Sequence, residues 1–349
     1  MIFNSDNNAP LHPNVLTAMQ QANQFAPAYG ADAITKAAVE KIRHVFEAPN
    51  AAVFFVPIGT AANALALAQL TQPYQSIYCH EAAHINVDEC GAPEFYTHGA
   101  KIIPLAGANG KIAPQTLKTA LAQASVGSVH AVQPGTLSLT NATESGTVYT
   151  PDELAQLCKI AKANGLNTHL DGARFANAVA TMGCNPADLS WRAGVDILCF
   201  GGTKNGLMGV EAVIIFDPKN IWEFELRRKR AGQLSSKNQY LAAQVMAYLE
   251  GELWLDLAKH ANTMATTLAA KLDMAETVRV LEPVNANMVF ASWPRAMHER
   301  ALGAGAQYYL WPDTQAETGP MDEIVSVRLV CSWATTAEEV DKFCAALSA

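Results

Sequence analysis

Two short apolar runs, each ending in a polar motif, constrain this chain more than any other feature. Leu166 to Leu170 leads into Asp171-Gly172-Ala173-Arg174, and Val195 to Phe200 leads into Gly201-Gly202-Thr203-Lys204-Asn205-Gly206. Runs of that length and composition read as buried strands. Each strand delivers a charged residue at its C-terminal end, and in an open α/β sheet that edge is where ligands bind.

The flanking pattern agrees. Strands are expected at 51–56, 76–78, 101–104 and 128–133, with helices at 32–47, 60–70 and 114–124. Thr150-Pro151-Asp152-Glu153 has the form of a capping box with proline at the first helical position, and Asn164-Gly165 ends that helix. This alternation runs to about residue 216 and predicts a three-layer, mainly parallel sheet. After Gln239 a long helical stretch runs to about Leu272, followed by strands at 278–281, 288–291 and 325–330 and a helix over 335–347. The expected organisation is an irregular arm at 1–15 carrying Pro10 and Pro13, a large α/β domain at 16–245, and a smaller α+β domain at 246–349.

Of the 349 residues, 50% are hydrophobic and 16% charged, enough for a large core. The net charge of −8 makes a poor nucleic-acid binder. Arg227-Arg228-Lys229-Arg230 is the one basic run, and reads as a solvated helix face or an interface. No signal peptide or membrane span is visible. The seven scattered cysteines suit free, mostly buried thiols in a reducing cytoplasm.

The polar residues at the sheet edge have the types that pyridoxal phosphate (PLP) chemistry needs. A buried lysine such as Lys204 supplies a free amine for imine formation, and Asp171 can pair with a pyridinium nitrogen. Taken alone, the first could be a surface lysine and the second a helix N-cap. Gly59-Thr60, between a strand and a helix, can cradle a phosphate or simply make a capped turn. Arg174 can reach a ring oxygen or a carboxylate. His80 and His84 have i, i+4 spacing, but no third ligand declares itself and no metal is expected. Arg328, in an apolar strand, needs an anionic partner: a substrate carboxylate or an internal salt bridge.

Together these pieces resemble the threonine aldolase family of fold-type I PLP enzymes, in its low-specificity and phenylserine branch. The resemblance rests on Ser5-Asp6, Tyr29-Gly30, Phe55 to Thr60, His84, Gln133 to Thr136, Thr143 to Gly146, His169 to Arg174, Gly202 to Gly206, Asn287-Met288-Val289 and Arg328. It implies a PLP-dependent aldehyde-lyase that splits L-threonine, L-allo-threonine or related β-hydroxy amino acids into glycine and an aldehyde. By matching position, Lys204 binds the cofactor covalently, His84 stacks on its ring and moves protons, and Asp171 pairs with its nitrogen. Ser5, Arg174 and Arg328 hold the amino-acid carboxylate. The resemblance further implies a homodimer or homotetramer with sites at the subunit interface, where Lys237 or the basic run reaches the neighbour's phosphate. Many members carry a histidine in the loop before the Ser145-Gly146 turn, whereas residues 136–145 here contain none. The alternatives are another PLP reaction, β-elimination or transamination, and a non-enzymatic scaffold of the same fold.

Overall fold

The computed structural model describes residues 1–312 and 314–348. The first sheet contains β1 (Ala52–Val56), β2 (Gln75–His80), β3 (Lys101–Leu105), β4 (Gln133–Thr140), β5 (Asn167–Gly172), β6 (Ile197–Gly201) and β7 (Glu211–Ile215), in the order β1-β7-β6-β5-β4-β2-β3. Only β7 runs antiparallel to its neighbours. Helices pack on both faces. The helix Gly59–Leu70 lies on one face with a core of Phe54, Val56, Ala62, Leu65 and Phe224. Helices Ala33–Val45, Pro151–Ala163 and Gln239–Leu249 cover the other.

The alternating pattern thus yields the expected layers, with informative exceptions. Residues 128–132 are turns rather than a strand, and β4 begins only at Gln133. The Gln133 side chain explains this, since it accepts from Gly127 N–H and donates to the carbonyls of Ser128 and Ala131, tying the segment into a loop. Pro13 opens a regular helix, Pro13–Gln21, inside what reads as an irregular arm; proline suits the first helical position. The helical stretch after Gln239 breaks at Glu250–Glu252, where Gly251 and Glu252 take positive φ. The basic run lies on the helix Ile221–Arg230, but Arg228 is buried and donates to the carbonyls of Phe55 and Gln233, so it is no part of a solvated face.

The second sheet, β8 (Arg279–Val280), β9 (Met288–Pro294), β10 (Tyr309–Leu310) and β11 (Ile324–Val330), is antiparallel in the order β10-β11-β9-β8. Helices Leu253–Leu272 and Ala337–Ser348 help close its core around Trp293 and Phe343. The N-terminal arm reaches it: Ile2 bridges Gln307, and Phe3 is fully buried there. No helix among the described residues is long and apolar enough to cross a membrane.

Candidate active site

The parallel strands end along one edge, and the loops leaving them converge. β1 leads to Gly59, β2 to His84, β4 to Glu144, β5 to Asp171 and β6 to Lys204. β7 runs the other way, so its first residue, Glu211, arrives at the same edge, opposite Gly201 and Val56. These residues, with Asn7, Asn63 and Thr60, line a cavity of about 260 Å³.

Asp171 is held from two sides. Its carboxylate accepts from Asn63 Nδ2 at 3.0 Å and from Ala173 N–H at 3.0 Å. Asn63 Nδ2 also donates to Glu89 Oε1 at 2.8 Å, and the same oxygen lies 2.8 Å from His84 Nδ1. That hydrogen bond raises the His84 imidazole above its ordinary pKa, against the effect of burial. Burial also raises the Glu89 carboxyl. His80 is separate from this network. It closes β2, and its ring nitrogens meet Gly107 O and Ala82 N–H, so the i, i+4 pair is not a helical face.

Lys204 sits in a tight turn, Thr203–Asn205, and makes no ion pair among the described residues. Glu211 accepts from Gly202 N–H at 3.0 Å, and burial pushes its carboxyl up to about 7 despite that bond and the Lys204 charge. The helix Gly59–Leu70 starts without a capping side chain. Ile58, not Thr60, takes the cap position, and Gly59 and Thr60 face the cavity. Uncapped first-turn N–H groups favour an anion.

Two guanidiniums carry unsatisfied donors. Arg174 makes a bidentate pair with Asp6, 2.7 and 3.0 Å, and Asn287 adds a 2.9 Å bond to the same carboxylate. Burial pushes Asp6 up, but Arg174 and Lys204 outweigh it and hold the carboxyl below its ordinary value. Arg174 Nη1 remains buried with no hydrogen bond. Arg328, on β11, lies 5.0 Å from the Trp311 ring and 5.7 Å from that of Tyr309, and its Nε has no partner. Among the described residues no salt bridge answers Arg328, which removes one of its two readings. Arg328 lines a second cavity of about 880 Å³, rimmed by Trp311, Tyr309, Leu310 and Val87, which shares His84 and Glu144 with the first.

The residues expected from sequence divide accordingly. Lys204, Asp171, His84, Gly59 and Thr60 share one cavity. Arg174 borders it through Ala173, and Arg328 faces the adjoining cavity. Ser5 does not line either; its Oγ accepts from Asn7 N–H, and Asn7 lines the cavity instead. Lys237 is exposed and lines neither cavity. Asn63, Glu89 and Glu211 carry no sequence motif and emerge only from the fold; Glu144 lies in the Thr143 to Gly146 loop of the resemblance, but its place at the cavity emerges only from the fold. An open helix start, a buried acid, a lysine and two under-bonded arginines fit a group with a phosphate, a ring nitrogen and an aldehyde, bearing an amino acid.

Comparison with known proteins agrees with that chemistry. A family model described as beta-eliminating lyase matches residues 3–293. The low specificity L-threonine aldolase of Pseudomonas aeruginosa is 42% identical over 97% of this chain and 94% of its own length. A second, from another Pseudomonas strain, is 39% identical over 99% and 97%. A solved structure of Leishmania major threonine aldolase superposes with a TM-score of 0.90 at 29% identity, covering 99% of this chain and 98% of that one. Serine palmitoyltransferase of Sphingomonas wittichii, 14% identical, shares the fold with a TM-score of 0.71 over 99% of this chain and 86% of that one.

Proposed function

The chain belongs to the beta-eliminating lyase family and has the α/β architecture of the fold-type I PLP enzymes, and from that premise we propose a PLP-dependent aldolase. It cleaves L-threonine, L-allo-threonine or related β-hydroxy-α-amino acids, phenylserine among them, to glycine and an aldehyde. The observation that carries this reading is the convergence of Lys204, Asp171 and the uncapped helix start on one cavity. PLP supplies an electron sink for bonds broken at the substrate Cα.

The side chains take distinct tasks. Lys204 binds the cofactor covalently. Asp171, fixed by Asn63 and Ala173 N–H, would pair with the ring nitrogen and keep it protonated. Gly59 and Thr60 hold the phosphate. His84, oriented by Glu89, would pack against the ring and hold a proton near the reacting atoms. Arg174 and Arg328 grip the substrate carboxylate and so set the Cα–Cβ bond for cleavage, while Ser5 positions Asn7 at the cavity wall. Incubating the holoenzyme with L-threonine, L-allo-threonine and L-phenylserine tests the reaction. Glycine and aldehyde are expected; a keto acid with ammonia would point to elimination instead. Lys204→Ala should abolish turnover, and borohydride should no longer leave a cofactor mass on that peptide. A fully active variant would sink the assignment.

The working form is a cytoplasmic homodimer or homotetramer. Ile58, at the cavity rim, and Met208, Trp222 and Leu226 are large exposed apolar side chains of the kind that subunit contacts cover. Lys237, exposed, then reaches a neighbour's phosphate. Sedimentation of the holoenzyme should give a dimer or larger; a fully active monomer would remove this proposal.

A further inference from the structure

Nearly every acid at the site is already engaged. Asp171 is bonded by Asn63 and Ala173, Asp6 by Arg174 and Asn287, Glu89 by His84 and Asn63, and Glu211 by Gly202. Glu144 differs. Its carboxylate makes no hydrogen bond among the described residues, and its one charged contact is Arg174 Nη1 at 3.9 Å. It stands, with His84, where the cavity holding Lys204 meets the larger one holding Arg328.

Glu144 is also rigidly presented. It sits in a tight turn closed by Gly146 N–H to Thr143 O and Thr143 N–H to Thr147 O. The Thr143 and Thr147 hydroxyls lie 2.8 Å apart, and Thr147 Oγ1 donates to Asn109 O at 2.6 Å. A catalytic group held by its supports needs little reorganisation. The turn ends the stretch of residues 136–145, which contains no histidine, and Glu144 is its one titratable side chain.

Resting on the aldolase reading above, we propose that Glu144 is the base that takes the proton of the substrate β-hydroxyl. An amino acid joined near Lys204, with its side chain in the larger cavity, sets its Cβ at the junction between Glu144 and His84. The hydroxyl O–H bond breaks and its proton passes to a Glu144 oxygen. The freed O–H pair becomes the second C–O bond of the aldehyde. The Cα–Cβ bond breaks and its pair stays at Cα, delocalised into the cofactor. The proton then passes to Cα, so glycine and aldehyde leave with no net proton taken up. Because Glu89 favours the charged imidazole, His84 suits hydrogen-bond donation to the same oxygen better than proton removal.

The test is Glu144→Gln, which keeps shape and hydrogen bonding but cannot take the proton, alongside Glu144→Asp. General-base loss should lower kcat on the order of 10²-fold. Affinity for glycine, which has no hydroxyl, should be unchanged when titrated by cofactor absorbance, and Glu144→Asp should recover part of kcat. Unaltered kcat in Glu144→Gln overturns the proposal. So does a loss of glycine affinity or of bound cofactor that matches the loss in kcat, since Glu144 would then serve the arginines or the fold. If the wild-type enzyme forms no aldehyde from any β-hydroxy amino acid, the aldolase reading itself fails.

Discussion

Arg328 holds its guanidinium against Trp311 and Tyr309, with an unpartnered Nε and, among the described residues, no salt bridge. Burial and the neighbouring Arg174 charge pull its pKa below the ordinary value, the signature of a cation awaiting an anion. Arg328→Lys keeps the charge but loses the planar fork. A lost charge-assisted hydrogen bond of about 1.5–3 kcal/mol predicts a fall in kcat/KM of roughly ten- to hundredfold. Melting temperature should move little, since no internal ion pair breaks and a lysine keeps a cation over the Trp311 and Tyr309 rings. Parallel kinetics and thermal melts check this; a destabilised protein with intact kinetics would return Arg328 to a structural role. At this scale the sequence exposes Lys204 and Asp171, because each follows its own strand. It conceals Asn63 and Glu211, whose partners are set by the fold: Asn63 meets Asp171 from a distant segment, and Glu211 meets the turn at Gly202 across a strand pair.

Among the elements, legibility follows how local the causes are. The capping box at Thr150 and Glu153 is readable within four residues, and both reciprocal bonds are present, 2.7 and 3.2 Å. β4 is the opposite case. Its first residues include Pro134-Gly135, beyond the expected strand at 128–133, yet they pair with β2 across a register shift between Ser76 and Ile77. Gly135 is the residue skipped there, and a Cβ on it would come within 2.7 Å of Gln75 Cβ. The bulge is therefore set by a neighbouring strand almost sixty residues earlier in the chain, which no local pattern encodes. Arg228 is hidden for a similar reason. Four consecutive basic residues read as a solvated face, but the helical turn points one of them at Phe55 O on β1. The direction of β7, which brings Glu211 to the site, is likewise a tertiary outcome.

Across the whole molecule, the N-terminal arm joins the second sheet to the site. Phe3 donates its N–H to Gln307 O and accepts from Val330 N–H, both at 2.8 Å, and its ring lies 5.1 Å from Phe343. Three residues on, Asp6 supplies the counter-ion of Arg174 and meets Asn287, which precedes β9. Arm, second sheet and Arg174 are thus one mechanical unit. Phe3→Ala removes a fully buried ring, which costs about 3–5 kcal/mol. The loosened arm should then hold Asp6 less firmly, and a buried Arg174 without its partner is itself strongly unfavourable. The expected result is a lower melting temperature together with a raised KM for the amino acid, measured well below the melting transition. Asp6→Asn should reproduce the KM change while leaving the Phe3 core intact. If Phe3→Ala melts early but binds substrate normally at low temperature, the arm stabilises the second sheet without tuning the site.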